Sequence, residues 1–347
     1  MSSLEEALAP YLSVQMTIVG QISSLSAMYF FYGFYVLLFC ACVYMMLQRQ
    51  PDDDQPNRGL YLSLTVILFM FSTVFVVVYT IDLVHGSIVS FTAVKTREYE
   101  PLLDFLTHDV ERTTLFCLEL LFYAFVNIAA EFMLIHRCYL IWGSNKRVAL
   151  PLIVASVLTN AVGIASTIAS IVGYRDTTVE SNQMLYDIGI AINGGGQIAN
   201  AVVNSIITLL TAGRIWWTYR QVRAHGIYTS DTLVHSVSRI ILESGSLYPI
   251  VSIASLIVQN VVPVMVFPFD LFPLVVLSAG ISPTLVIVRA KLGKNVESLQ
   301  EQVSDIHFIS RPAPRGGTSA LSQSQVHSIG NPMGEAEVDE AKEAIVV

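Results

Sequence analysis

Apolar residues in this chain come in long, nearly unbroken blocks divided by short polar stretches, without the regular alternation of half-buried strands. A bilayer core of about 30 Å is crossed by about 20 helical residues at ~1.5 Å each. Seven blocks meet that length, over about 25–47, 60–84, 114–137, 148–173, 186–213, 237–262 and 264–288. None has the period-two pattern of a barrel strand, so the expected fold is an all-α bundle of seven transmembrane helices. The short link at Pro263 makes spans six and seven a tight hairpin, and Pro268 and Pro273 move the expected start of span seven a few residues later.

The flanks read differently. Residues 1–24 form a short segment before the bundle of 25–288, and Glu5 and Glu6 stand where a cleavable signal carries basic residues. The first span is therefore expected to act as an uncleaved signal-anchor. After span seven, Leu292, Val296, Leu299 and Val303 recur at helical spacing with Lys291, Lys294 and Glu297 between them. Residues 289–309 are accordingly expected to form an amphipathic helix along the inner membrane surface. From 310 to 347 Ser, Pro, Gly and Gln dominate, and a disordered cytosolic tail is expected.

Composition sharpens the membrane reading. Hydrophobic residues make up 53% of the chain and charged residues only 13%, against roughly 25% charged in soluble domains. The net charge of −8 sits in Asp52–Asp54, the Glu98–Glu111 stretch and the Glu335–Glu343 tail. No basic patch exists, so no nucleic-acid partner is expected. Lys and Arg near span ends mark the cytosolic side. Twelve (Arg49, Arg58, Arg137, Lys146, Arg147, Arg214, Arg220, Arg223, Arg239, Arg289, Lys291, Lys294) fall on one side and four (Lys95, Arg97, Arg112, Arg175) on the other. The N-terminus is thus expected outside and the C-terminus in the cytosol, with the plasma membrane as the default location. Cys40, Cys42, Cys117 and Cys138 all lie in or beside apolar segments, and no disulfide is expected.

Polar side chains inside the spans have direction, because lipid cannot satisfy them. On span five, Asn193, Gln197, Asn200 and Asn204 fall within an arc of about 60° at ~100° per residue. The opposite face carries Ala191, Gly195 and Ala199, spaced for close helix packing, and the run Gly194–Gly196 is expected to loosen the helix. Span three carries Glu119, Asn127 and Glu131 over about a third of its circumference, and span four adds Ser156, Asn160, Gly163 and Thr167. These stripes are expected to meet, either as interhelical glue or as a polar pocket. Arg239 and Glu243, four apart at the start of span six, are positioned to neutralise each other.

Several chemistries are excluded. No span contains a lysine for a retinal Schiff base. His85 and His108 lie near one face and His136, His225 and His235 near the other, without metal-ligand spacing. No phosphate loop, nucleophile elbow or C-x-x-C is present. Neither an enzyme nor a metal or other cofactor is expected.

The inner end of span three reads Glu131-Phe-Met-Leu-Ile-His136-Arg137-Cys138-Tyr139. It resembles the acid-Arg-Tyr element of G-protein-coupled receptors, with His136 in place of the acid. Ser282-Pro283-Thr-Leu-Val is similar to that class's N-P-x-x-Y without its Asn and Tyr. Across about 25–300 the chain looks more like a group of seven-pass membrane proteins of mushroom-forming fungi. The shared patterns are Arg137-Cys-Tyr139-x-Ile-Trp142, Arg214-Ile-Trp216-Trp217-x-x-Arg220, Glu243-Ser-Gly245-x-Leu-Tyr248-Pro249 and Ser282-Pro283 through Arg289-Ala-x-Leu292-Gly293-Lys294. That resemblance implies the seven-span topology and a receptor-like role.

The functional expectation is a receptor-like sensor in the bilayer. A small ligand would contact Glu119, Asn127, Glu131, Asn160, Asn193, Gln197, Asn200 and Asn204 between spans three and five. A cytosolic partner, such as a heterotrimeric G protein, would meet Arg137, Arg214, Arg220, Arg223, Arg239 and Glu243 around the loop 214–236. The alternative is a transporter or channel using Glu119 and Glu131 as ion-binding groups. Trp142, Trp216 and Trp217 read as interfacial anchors, and Pro249 and Pro283 as kinks in spans six and seven.

Overall fold

The computed structural model describes Ser13 and residues 15–48, 58–107, 109–175, 178–224, 242–261 and 269–309, without the side chains of 15, 16, 219, 222–224 and 293–309. All regular structure among these residues is helical. One turn of π-helix, Gln15–Gly20, leads into span one, Gln21–Leu47. Span two is Arg58–Thr96, span three Val110–Ile141, span four Lys146–Tyr174 and span five Glu180–Ala224. Span six contains Leu247–Val261, and span seven begins a helix that runs unbroken over Phe272–Ile309. Among the described residues seven helices are long and apolar enough to cross a membrane, which fits a multi-pass membrane protein. The two ends of the bundle take their names, outer and inner, from the Lys/Arg distribution.

Local chemistry sets the boundaries. Asp109 caps span three by accepting from the Glu111 N–H at 2.7 Å, and Asn145 caps span four by accepting from that of Arg147 at 3.0 Å. Between spans three and four, Gly143 (φ 61°) and Ser144 (φ 58°) are left-handed, and the Ser144 N–H donates to the Tyr139 carbonyl at 3.0 Å. Those bonds close the helix end and reverse the chain within four residues, Trp142–Asn145. Span seven begins at Phe272, with Pro273 in the first turn where its missing N–H is harmless. The delayed start expected from Pro268 and Pro273 is thus found, although 262–268 lies outside the described residues.

Span seven is the central helix, enclosed along most of its length, whereas span four turns most of its surface outward. Met28, Tyr35, Leu68, Phe75, Val126 and Leu277 join spans one, two, three and seven in one core cluster. Phe30, Leu37, Met70, Leu150, Leu158 and Ile250 are exposed, as side chains facing lipid would be.

Several expectations are corrected. Ala191 and Gly195 are exposed, and a Cβ on Gly194, Gly195 or Gly196 would meet nothing within 4 Å. The close packing of spans four and five instead uses Gly173 and Gly189. A Cβ on Gly173 would lie 2.5 Å from the Tyr186 nitrogen, and one on Gly189 would lie 2.7 Å from that of Ser170. Nor does the Gly194–Gly196 run interrupt span five, whose helix continues through it. The stretch between spans two and three contains a short helix, Glu100–Thr107, that the hydrophobic pattern did not reveal. It buries Leu102 and Phe105 against Ala93. Residues 289–309 are helical but continue span seven without a break. The tail 310–347 and the loop 225–241 lie outside the described residues.

Pro249 cannot donate to the preceding turn, yet the Ser246 N–H still donates to the Leu242 carbonyl and the Ile250 N–H to that of Ser246, each at 3.0 Å. The helical residues Leu242–Gly245 are separated from Leu247 by a turn at Ser246. Next to that turn the Ser282 hydroxyl donates to the Ser244 carbonyl at 2.8 Å, tying span seven to span six. Pro283, by contrast, sits inside an uninterrupted helix.

Candidate functional site

Three polar groups of the interior are distinct. The first is centred on Glu131, which is completely buried. Its Oε2 accepts from Asn160 Nδ2 at 2.6 Å and from the Ser156 hydroxyl, and its Oε1 accepts from Asn127 Nδ2 at 3.3 Å. Asn127 Nδ2 also donates to Asn160 Oδ1 at 3.3 Å, and Asn160 Nδ2 to the Ser156 carbonyl at 2.8 Å. The stripes of spans three and four therefore meet as expected, and they close on each other. Among the described residues no Lys or Arg pairs with Glu131; three neutral donors surround it instead.

The second group belongs to span five, and its main partner is span six. Asn200 Nδ2 donates to the Tyr248 hydroxyl at 3.0 Å, and Asn204 Nδ2 donates to Asn200 Oδ1 at 2.9 Å. One turn further in, Thr208 presses on Gly245, where a Cβ would come within 2.9 Å of its hydroxyl. Gln197 is buried and Asn193 half-buried on the same stripe. Tyr123 of span three lies beside both Tyr248 and Asn200, and Glu131 is within electrostatic reach of both tyrosines. The three stripes thus converge on Tyr123 and Tyr248, which the helical-wheel reasoning passed over because a tyrosine on an apolar face looks like core. Tyr248→Phe is expected to lower the unfolding free energy by ~0.6–1.7 kcal/mol, the range of single bonds between membrane helices. Thermal unfolding midpoints in detergent would register it.

Glu119 stands apart from both. It lies towards the outer end of span three, 6% exposed, and its Oε1 has no hydrogen-bond partner among the described residues. Asp82 of span two and Asp270 at the entry to span seven are near enough to repel its charge. Asp270 Oδ2 accepts from the Tyr79 hydroxyl at 2.9 Å, while its Oδ1 accepts from the Phe272 N–H at 2.9 Å. The signal for this group was present, because Asp82 and Asp270 both fall near apolar blocks. Only the packing of spans two, three and seven brings them to Glu119.

The expected coupling residues gather at the inner end. Arg137 is 7% exposed, its guanidinium 5.3 Å from the Tyr61 ring, and its Nε and Nη1 have no partner among the described residues. Tyr61 is itself bonded to His136 Nδ1 at 3.0 Å, so the residue in the acid position of the motif binds span two instead of Arg137. Arg214 stacks on Trp142 (5.3 Å) and Trp217 (4.7 Å), and Arg220 on Trp216 (5.1 Å). The tryptophans are therefore joined to the arginines by cation–π contacts, beyond anchoring at the interface. Glu243 pairs with Arg289 of span seven at 3.2 Å; both are exposed, where such a pair contributes little. Its expected partner Arg239 and the Arg223 side chain lie outside the described residues.

No family model, curated protein or solved structure matches this chain.

Proposed function

We propose that this multi-pass membrane protein is a receptor-like sensor, with its N-terminus outside and its inner end engaging a cytosolic signalling partner such as a heterotrimeric G protein. The buried guanidinium of Arg137 carries this reading. Two of its three nitrogens lack a hydrogen-bond partner among the described residues. A buried, unpaired charge destabilises the resting state. An acidic or carbonyl-rich partner docking at this end would satisfy it, which makes Arg137 a place where binding energy can be gained. The backbone bond that Pro249 cannot make, beside the tie from Ser282 of span seven to Ser244, is the element taken to switch in this reading. The paired interior of Asn127, Glu131, Asn160, Asn200 and Asn204 is where a small ligand would act, by exchanging its own hydrogen bonds for theirs. The twelve-to-four Lys/Arg split supports the orientation and the plasma membrane is the default location. The likeness to seven-pass fungal proteins adds to the same reading.

The test uses the purified chain in lipid nanodiscs and basal nucleotide exchange on a panel of heterotrimeric G proteins. The wild-type chain is expected to accelerate exchange above empty discs for at least one member. Arg137→Met should abolish that acceleration while raising the unfolding free energy by ~1–2 kcal/mol, because the unpaired charge is gone. No acceleration by any member, together with solute flux into proteoliposomes that Glu131→Gln removes, would replace the sensor with a transporter.

A further inference from the structure

At the outer end three carboxyl groups come together with few basic partners among the described residues. Glu119 is nine-tenths buried with Oε1 unpartnered, and Asp82 and Asp270 approach it from spans two and seven. Both aspartates are half-buried, so the group is enclosed at Glu119 and open at its edge. The cationic groups facing it are Arg112 and His85, both on the Asp82 side. Arg112 is already committed. Its Nη1 donates to the Leu106 carbonyl at 3.1 Å, and its guanidinium lies over Phe105 (5.1 Å) and Tyr174 (5.0 Å). Of the three carboxylates, only Asp82 has an arginine beside it among the described residues, and that arginine is engaged.

Charge of this kind inside an apolar bundle is costly, at ~2.5–3.5 kcal/mol for a carboxylate near the bilayer centre, and like charges add to it. A cation would relieve it, and the surroundings favour one type. Among the described residues no three His, Cys, Asp or Glu side chains stand close enough to share a metal ion. Aromatic rings, in contrast, pack beside the Asp270 end. Tyr79, which donates to Asp270, packs against Phe75 at 5.9 Å, and Phe272 lies 5.8 Å from Phe75 and 5.4 Å from Tyr123. Separated carboxylates beside aromatic rings suit an ammonium group carrying an apolar body, which takes both ion pairing and cation–π contact.

We propose that Glu119, Asp82 and Asp270 form a binding site for a small protonated amine, with the neighbouring rings of Phe75, Tyr79 and Phe272 receiving its apolar part. The site is separate from the interior networks of spans three to six and holds whether or not the chain signals.

Thermal unfolding of the full chain in detergent tests it, with 2-phenylethylamine as probe and 2-phenylethanol and sodium chloride as controls at matched ionic strength. The amine should raise the midpoint saturably, by about 2–4 °C at roughly five to ten times its Kd, and neither control should. Glu119→Gln should raise the midpoint without ligand and abolish the response to amine. If that variant does not fold, Asp82→Asn at the half-buried edge carries the same test. An absent or non-saturating amine response, an equal rise with sodium chloride or 2-phenylethanol, or an undiminished response in the variant would each overturn the proposal. Saturable amine binding without any G-protein coupling would leave this site standing and remove the sensor. Coupling driven by a neutral ligand would do the reverse.

Discussion

Glu131→Ala is expected to lower the unfolding free energy by about 2–5 kcal/mol, read as a lower midpoint in heat or SDS titrations. The estimate sums three hydrogen bonds at ~0.6–1.7 kcal/mol each, the range found between membrane helices. Glu131 is the shared acceptor for Asn127, Asn160 and Ser156, so one truncation removes three bonds where lipid offers no replacement, although Asn127 keeps its bond to Asn160 and Asn160 its bond to the Ser156 carbonyl. Glu131→Gln should cost about a third as much, since the amide oxygen can still accept from Asn160 and Ser156 while its NH2 meets only the Asn127 donor. Equal stability of the alanine variant and the wild-type chain would mean that this network does not hold spans three and four together.

The second large effect is a contrast along one helix. Gly189→Ala should destabilise the bundle by about 1–3 kcal/mol, the usual range for overpacking. Its Cβ would sit 2.7 Å from the Ser170 nitrogen and 3.0 Å from its Cα, and backbone cannot swing aside as a side chain can. Gly195→Ala, two turns further along the same helix, should instead stabilise by about 0.5–1 kcal/mol. There the new methyl meets nothing within 4 Å, and alanine restricts the unfolded chain more than glycine does. The two variants change the same atoms, so opposite shifts in unfolding midpoint would isolate packing from propensity. Shifts of the same sign would show that spans four and five separate easily at Ser170.

How far each feature was legible follows from the range of its physics. Span existence depends on runs of about 20 apolar residues, a purely local property, and all seven helices appear where the runs are. The inward direction of Asn200, Asn204, Asn127 and Glu131 also followed from one helix at a time, because hydrocarbon leaves a polar group only one favourable side. Which helix receives each group did not follow. Periodicity placed Glu119 and Glu131 on one broad stripe, yet Glu131 turns to span four and Glu119 towards Asp82 and Asp270. The small-residue pattern failed for the same reason. Ala191, Gly195 and Ala199 have the spacing for contact, but the spans meet at Gly173 and Gly189.

Hydrophobicity and helical period act over a single turn or a single span. Those quantities by themselves determined that this chain is a set of seven apolar helices, each with a polar side that must face another. Pairing is a property of two surfaces at once, and only the tertiary structure decided it. It closed Glu131 into a network with span four, joined Asn200 to Tyr248, and left Glu119 and Arg137 enclosed with charged atoms unanswered among the described residues.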